Sequence, residues 1–139
     1  MAVTLAEART IIDAGIARAR DLDQRVAIAV VDEAGNPISI DKMDGAPLYR
    51  ERFASGKAFA AVLTGQPTAQ VQGLRETGPE RYYGMMNLFP GQIYILNGGV
   101  PLRRDGQLLG AVGVAGGAAG MDEQIAEAGV AAWGGQPHG

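Results

Sequence analysis

Three ionisable side chains have the types and surroundings that acid–base chemistry requires. Lys57 lies in a segment otherwise rich in Ala, Gly and Phe, and Asp122 and Glu123 begin a later segment of helical character. A lysine among small apolar residues is a candidate for partial burial and for pairing with Asp122, Glu123 or a ligand carboxylate. Carboxylates in a dry cleft acquire raised pKa values and can act as general acids or bases. The alternative interpretations are a surface lysine and two acidic residues that only cap a helix.

Four arginines are candidates for binding an anionic ligand. They are Arg50, Arg52, Arg75 and Arg81. A guanidinium group binds a carboxylate through two parallel hydrogen bonds, so any of them could hold a substrate carboxylate. The alternative for each arginine alone is a solvated surface position. We include Arg50 in the candidate ligand-binding set.

Aromatic and methionine residues cluster in a stretch without clear periodicity. They are Tyr82, Tyr83, Met85, Met86 and Phe89. Such side chains suit a flat ligand or a subunit interface. For a haem they offer tyrosine or methionine as the axial ligand of the iron. Tyr82, Tyr83 and Met85 therefore join the candidate ligand-binding set, and oligomer contacts or lid packing are the alternatives.

A glycine-rich segment covers residues 110–120. Backbone N–H groups of such a segment, next to a helix start, can cradle an anion. The segment is not a P-loop, because no Gly-Lys-Ser/Thr follows it, and the acidic residues after it would repel phosphate. We expect Gly116 and Gly117 to line a pocket. Gly110 and Gly113 are expected to let a strand pack closely against a helix or a neighbouring subunit.

Composition excludes several classes of site and partner. The 139-residue chain has no cysteine and one histidine, His138, so we expect no disulfide, no catalytic Ser–His–Asp triad and no metal site. A net charge of −3 and a pI near 5.1 argue against nucleic acid as a partner. No apolar run reaches about 18 residues, so we expect no membrane span. The length predicts one domain over residues 1–139, and the lack of a signal-peptide pattern predicts the cytoplasm.

Helical periodicity predicts the elements that position these groups. Thr4 and Glu7 match a capping box, and an apolar stripe at spacings of three and four follows them. Further helices are predicted over residues 48–63, over residues 68–74 and from Asp122 onward. Asp44 is a candidate cap for the second helix. Residues 75–91 contain several Gly and Pro residues and predict a long loop.

The strand pattern predicts a sheet built from hairpins. Residues 26–31 are apolar throughout and largely β-branched, which is typical of a central strand covered on both faces. The other predicted strands cover residues 37–42, 93–96, 100–103 and 107–114. Asp105-Gly106 favours a tight hairpin turn, since both positions need positive φ. Hairpin connections predict a mainly antiparallel sheet in an α/β (α+β) domain.

Several of these motifs, taken in order, resemble the GlcG/HbpS family. They are Asp44-Gly45-Ala46, Lys57-Ala58, Gly99-Val100-Pro101-Leu102, Asp105-Gly106, Gly110-Ala111-Val112-Gly113-Val114 and Asp122-Glu123. The resemblance implies a profilin-like fold, in which an antiparallel sheet of about five strands is flanked by helices. It also implies a homo-oligomer.

The family resemblance implies a protein that binds a small molecule, and the missing signal-peptide pattern predicts that it does so in the cytoplasm. Family members bind or degrade haem, form a domain of a cobalamin adenosyltransferase, or are encoded near genes of glycolate or diol catabolism. Haem, another tetrapyrrole or a small organic acid is therefore the expected ligand, although the histidine that ligates iron in some members has no counterpart in this N-terminal half. The expected hollow lies between the helix of Lys57, the loop around Tyr82 and the helix start at Asp122.

Two other functions stay open for a member of this family. One is a cofactor-independent isomerase, lyase or hydratase of organic acid or aromatic catabolism. In that enzyme, Lys57 and either Asp122 or Glu123 would transfer protons, and an arginine would hold the substrate carboxylate. The other is a structural oligomer that supports a catabolic partner enzyme.

Overall fold

Four antiparallel strands form the single sheet of the computed structural model, which describes residues 2–135. The strands are β1 (Ala27–Asp32), β2 (Pro37–Lys42), β3 (Gly99–Arg104) and β4 (Gln107–Ala115), in the order β2-β1-β4-β3. The predicted antiparallel sheet is confirmed, but the expected number of about five strands is wrong for the described residues. Residues 93–96 form no strand. These apolar residues lie in a loop, and Ile95 is buried there against Ala60, Val71 and Tyr82.

The hairpin and burial predictions for the strands are confirmed. Asp105 and Gly106 join β3 to β4 with φ angles of 54° and 77°. β1 is central in the sheet and is buried almost throughout. β2 pairs only with β1 and is largely exposed, since it lies at the edge of the sheet.

Helices cover both faces of the sheet. They are α1 (Leu5–Asp21), α2 (Arg50–Thr64), α3 (Thr68–Val71), α4 (Leu74–Thr77), α5 (Pro79–Leu88) and α6 (Met121–Trp133). Alternate residues of β1 separate the two sides, because successive strand residues point to opposite faces. Ile28 and Val30 pack in the cluster that α1 and α6 share. Ala27 and Ala29 pack with Ala54 of α2.

Two predictions of local structure are wrong: the loop over residues 75–91 and the cap of α2. Residues 75–91 are mostly helical rather than a loop, because Pro79 occupies the first position of α5, where its missing N–H costs nothing. Tyr82 of α5 is buried against Ala60, Val71 and Ile95, and this packing supports a helix that its local sequence does not announce. Asp44 does not cap α2, which begins after Tyr49 in a left-handed conformation (φ 67°).

A side-chain cluster ties the two ends of the chain to β3. The predicted capping box of Thr4 and Glu7 is present. Glu7 Oε2 also accepts hydrogen bonds from Trp133 Nε1 at 2.8 Å and from Arg104 at 3.1 Å. The Thr4 backbone and Trp133 hydrogen bonds lower the pKa of Glu7 to about 2. The cluster therefore fixes α1 against α6, which together cover one face of the sheet. His138 lies outside the described residues.

Candidate functional site

A buried ion pair joins α2 to the first turn of α6. Lys57 Nζ lies 3.1 Å from Asp122 Oδ2 and donates a second hydrogen bond, at 2.9 Å, to the carbonyl oxygen of Val114 in β4. Lys57 is 2% exposed and Asp122 is 6% exposed. The pairing of Lys57 with Asp122 that the sequence predicted is therefore present. Glu123 also lies in the first turn of α6, but it is half-buried and does not line the cavity described below.

Small residues allow α2 and the sheet to come close enough for this pair. A Cβ atom on Gly113 would lie 2.7 Å from the backbone nitrogen of Ala58 and closer still to the carbonyl oxygen of Ala54. Close packing of Gly113 against a helix was predicted and is confirmed. Gly110 instead approaches the backbone of Val31 in the neighbouring strand.

Gly98 is required directly at the ion pair. Its φ is +119°, a backbone conformation that side chains rarely adopt, and a Cβ atom there would lie 3.1 Å from Lys57 Nζ and 3.0 Å from Asp122 Cβ. The backbone N–H of Val114 donates to the carbonyl oxygen of Gly98 at 2.9 Å. The segment before β3 thus closes one side of the pair.

The glycine-rich loop after β4 holds the carboxylate of Asp122. Gly117 N–H donates to Asp122 Oδ1 at 2.8 Å, and Ala118 N–H donates to Gln24 Oε1 at 2.8 Å. The anion that this loop binds through Gly117 is therefore a side chain of the same protein. Asp122 also lies in the first turn of α6, at the positive end of the helix dipole, where an acidic side chain is favourably placed.

The ion pair borders a cavity of about 200 Å³. The cavity is lined by Arg50, Phe53, Lys57, Tyr94, Leu96, Ala115, Gly116, Gly117 and Asp122. Of the predicted site residues, Arg50, Lys57, Gly116, Gly117 and Asp122 come together here. We call this cavity the Lys57 pocket.

One wall of the Lys57 pocket is aromatic. The rings of Phe53 and Tyr94 stack with centroids 4.9 Å apart. The Arg50 guanidinium lies 5.1 Å from the Phe53 centroid, and Lys57 Nζ lies 6.0 Å from that of Tyr94. The residues Phe53, Tyr94 and Leu96 line the pocket but were not among the predicted site residues. The spacing of Arg50, Phe53 and Lys57 was the available signal, since residues three and four apart share a helix face.

The charges around the pocket are unbalanced. With Lys57 protonated, Arg50 and Lys57 carry two positive charges and Asp122 carries one negative charge, so these three lining residues sum to +1. Burial lowers the pKa of Lys57, and the nearby charge of Arg50 lowers it further. The attraction and hydrogen bond of Asp122 act in the opposite direction and raise the pKa of Lys57. Because Lys57 and Asp122 balance each other, the excess positive charge is that of the half-buried Arg50, with which a ligand anion would pair.

Tyr82, Tyr83 and Met85 do not reach the Lys57 pocket. Tyr82 lines a separate cavity of about 360 Å³, while Tyr83 is 52% exposed and Met85 packs half-buried near Tyr82. Leu96 lines both cavities and lies between them. The expectation that the segment around Tyr82 borders the same hollow as Lys57 is therefore wrong within one chain. The loop of Tyr94 and Leu96 takes that position.

The other candidate arginines occupy exposed positions away from Lys57. Arg52 stacks over Tyr49 at 5.7 Å and borders a more open groove between β2 and α2, of about 480 Å³. Arg75 pairs with Glu76 at 3.2 Å, and both side chains are more than 60% exposed. Arg81 is also exposed.

Among the described residues, no helix is long and apolar enough to cross a bilayer.

Comparison with known proteins identifies the family. The family model described as haem degrading protein HbpS-like matches residues 3–131. An uncharacterized 15.0 kDa protein of the dhaT-dhaS intergenic region of Citrobacter freundii is 32% identical, over 90% of this chain and 87% of its own.

Solved structures agree with that match. The crystal structure of a PduOC:haem complex has a TM-score of 0.90 and 28% identity, and the alignment covers 100% of both chains. The crystal structure of HbpS has a TM-score of 0.85 and 32% identity, over 94% of this chain and 89% of its own. The resemblance predicted from the sequence motifs is confirmed. The chain belongs to the HbpS-like family.

Proposed function

We propose that this chain is a small-ligand-binding protein whose ligand places a carboxylate in the Lys57 pocket. The observation that carries the proposal is the excess positive charge of Arg50 and Lys57 over Asp122 at a cavity bounded by apolar rings. Lys57 is already balanced by Asp122, so the half-buried Arg50 carries the excess charge, and an anionic ligand would pair with it. The Arg50 guanidinium supplies the bidentate donors that suit a carboxylate.

The size of the Lys57 pocket limits the ligand. Its volume of about 200 Å³ is below the roughly 300–1,000 Å³ of pockets that enclose drug-sized molecules. A ligand of a few carbon atoms therefore fits within the pocket. The stacked rings of Phe53 and Tyr94 provide an apolar surface for the rest of that molecule.

Calorimetric titration with short carboxylates tests this proposal. We expect acetate, glycolate, lactate or pyruvate to bind, and Arg50→Gln to weaken binding about ten- to hundredfold, since a hydrogen bond to a charged group contributes about 1.5–3 kcal/mol. Arg52→Gln is the matched control, because Arg52 lies on the same helix but borders another groove. Equal affinities of the parent chain and Arg50→Gln would contradict the assignment of the carboxylate to Arg50.

Haem binding is the second candidate function, and the similarity to a PduOC:haem complex supports it. The Lys57 pocket does not fit a haem, because its volume of about 200 Å³ is too small for the macrocycle. The cavity at Tyr82 is larger, at about 360 Å³, and tyrosine is one of the side chains that ligate haem iron. Residues 2–135 contain neither histidine nor cysteine, so the side chain that ligates the haem iron would be a tyrosine such as Tyr82.

Titration with haemin separates the two candidates. If haem binds through Tyr82, the Soret band shifts on addition of the chain, and Tyr82→Phe weakens the shift while Tyr83→Phe does not. The phenylalanine substitutions preserve the ring packing, so a change in the spectrum reports the hydroxyl group. An unchanged spectrum at micromolar excess of the chain would remove haem as a ligand and leave the carboxylate proposal intact.

We also propose that the chain self-associates, as the family resemblance implies. The support is the number of large apolar side chains that one chain leaves exposed. Those at least half exposed are Leu48, Tyr49, Tyr83 and Leu88. Exposed apolar surface favours association when it forms contiguous patches.

A further inference from the structure

We propose that Lys57 captures small 2-oxo acids as a Schiff base between Nζ and the ligand's carbonyl carbon. The inference rests on the proposed function, since the same Lys57 pocket holds the ligand. It adds a chemical class to that function: a short acid with a carbonyl group next to its carboxylate.

The helix α2 places an anion-binding group and an amine in the same pocket. Arg50, Phe53 and Lys57 follow one another at spacings of three and four, and all three line the pocket. Seven residues of helix separate the Cα atoms of Arg50 and Lys57 by about 10 Å along the axis. Both side chains tilt toward the helix N-terminus, and the flexible stem of Lys57 brings its amine to the pocket that Arg50 also lines. A 2-oxo acid held by its carboxylate at Arg50 therefore has its carbonyl carbon in the same pocket as the amine.

Asp122 provides the acid–base partner that the reaction needs. Its Oδ2 lies 3.1 Å from Lys57 Nζ, and its other oxygen is fixed by Gly117 N–H. Transfer of one proton from the ammonium to Asp122 yields a neutral amine, the form that attacks a carbonyl. Burial favours this neutral form by lowering the pKa of Lys57.

The reaction balances with the residues present. The nitrogen lone pair forms the C–N bond, the carbonyl π electrons move to oxygen, and Asp122 returns its proton to that oxygen. A second proton then moves from nitrogen to the hydroxyl group, water leaves, and the lone pair on nitrogen forms the C=N bond. Ammonium and 2-oxo acid thus become a protonated imine and water, with no oxidant or reductant. The imine keeps one positive charge beside Asp122, as the ammonium did.

Reductive trapping tests the inference on the intact chain. The protein is incubated with pyruvate or glyoxylate and sodium cyanoborohydride, and the adduct is located by peptide mass spectrometry. The sequence contains two lysines, Lys42 and Lys57, so the competing amines are few. We expect labelling of Lys57 to exceed that of exposed Lys42 by at least about tenfold, because a bound carbonyl next to the amine reacts as an intramolecular partner.

Control reactions assign the two roles separately. Lys42→Arg should leave the labelling of Lys57 unchanged, and Lys57→Arg should abolish it. Arg50→Gln should lower labelling while Lys57 is intact, which keeps the test valid if Lys57→Arg fails to fold. Acetone, which has no carboxylate, should label Lys57 less than pyruvate does, and lactate should compete with pyruvate without forming an adduct.

The outcomes separate this inference from the proposed function. Labelling confined to Lys42 or to the terminal amine would overturn the Schiff base. If pyruvate and lactate still bind through Arg50 in the titration while Lys57 stays unlabelled, the carboxylate site stands and the covalent step is wrong. If Lys57 is labelled equally by pyruvate and acetone and Arg50→Gln has no effect, the amine is reactive but the carboxylate site is wrong.

Discussion

Replacing Asp122 by alanine should lower the free energy of unfolding by about 3–5 kcal/mol, which is the usual cost of removing one partner of a buried ion pair. The substitution leaves the Lys57 ammonium 2% exposed and without its carboxylate. It also removes the acceptor of Gly117 N–H. Urea unfolding followed by the fluorescence of Trp133, the single tryptophan, measures the loss.

Two control variants show whether the loss comes from the stranded charge. The double variant Lys57→Met with Asp122→Ala should recover much of the stability, because both buried charges are then absent. Glu76→Ala breaks an ion pair whose side chains are 63% and 66% exposed, and it should cost at most about 1 kcal/mol. Additive losses for Lys57→Met and Asp122→Ala would contradict the explanation, since they would indicate two independent packing defects.

The small net contribution of a buried ion pair to stability bears on the function of Lys57 and Asp122. A buried pair typically adds little stability beyond that of well-packed apolar residues of similar volume. Lys57 and Asp122 nevertheless occupy the interface of α2, β4 and α6, at the edge of a cavity. A buried lysine with a lowered pKa at the edge of a cavity is typical of functional sites, and this supports the ligand-binding role that we propose for the pocket.

Much of the fold follows from local sequence signals. Thr4 and Glu7 predict the start of α1, and Asp105-Gly106 predicts the β3–β4 turn, because each motif carries its own hydrogen-bond or φ requirement. The pairing of Lys57 with Asp122 was also predictable in outline. A lysine in a helix of small residues must find a counter-ion if it is buried, and Asp122 and Glu123 were the acids that the predicted final helix presents at its start.

Features that depend on tertiary packing were not predictable in the same way. The Gly and Pro residues before Tyr82 suggest a loop, but its ring is buried against other elements and supports α5. Tyr94 lies in a segment that resembles a strand, yet it stacks on Phe53 instead of pairing with β3. Which aromatic residue reaches Lys57 depends on how the segment before β3 packs against α2, where Tyr94 N–H donates to the carbonyl oxygen of Gly56, and no local periodicity predicts that packing.

Gly113→Ala should lower the free energy of unfolding by about 3 kcal/mol or more, at the upper end of what overpacking costs. The added methyl group would lie 2.7 Å from the backbone nitrogen of Ala58 and would overlap the carbonyl oxygen of Ala54. Both obstacles belong to the backbone of α2, so no side-chain rotation can relieve the overlap. The helix must instead move away from β4. Lys57 lies between the two contact points along the helix, so its hydrogen bond to Val114 should lengthen and carboxylate binding should weaken as well.

Gly84→Ala is the matched control for the effect of the methyl group itself. Gly84 lies within α5, and a Cβ atom there would meet no atom within 4 Å. Alanine at such a helical position should raise the free energy of unfolding by about 0.5–1 kcal/mol, because glycine loses more backbone entropy on folding. The change from glycine to alanine is thus expected to lower the free energy of unfolding at position 113 and to raise it at position 84. If urea unfolding showed Gly113→Ala to be as stable as the parent chain, α2 would not lie close against Gly113. The described geometry of the Lys57 pocket would then be wrong.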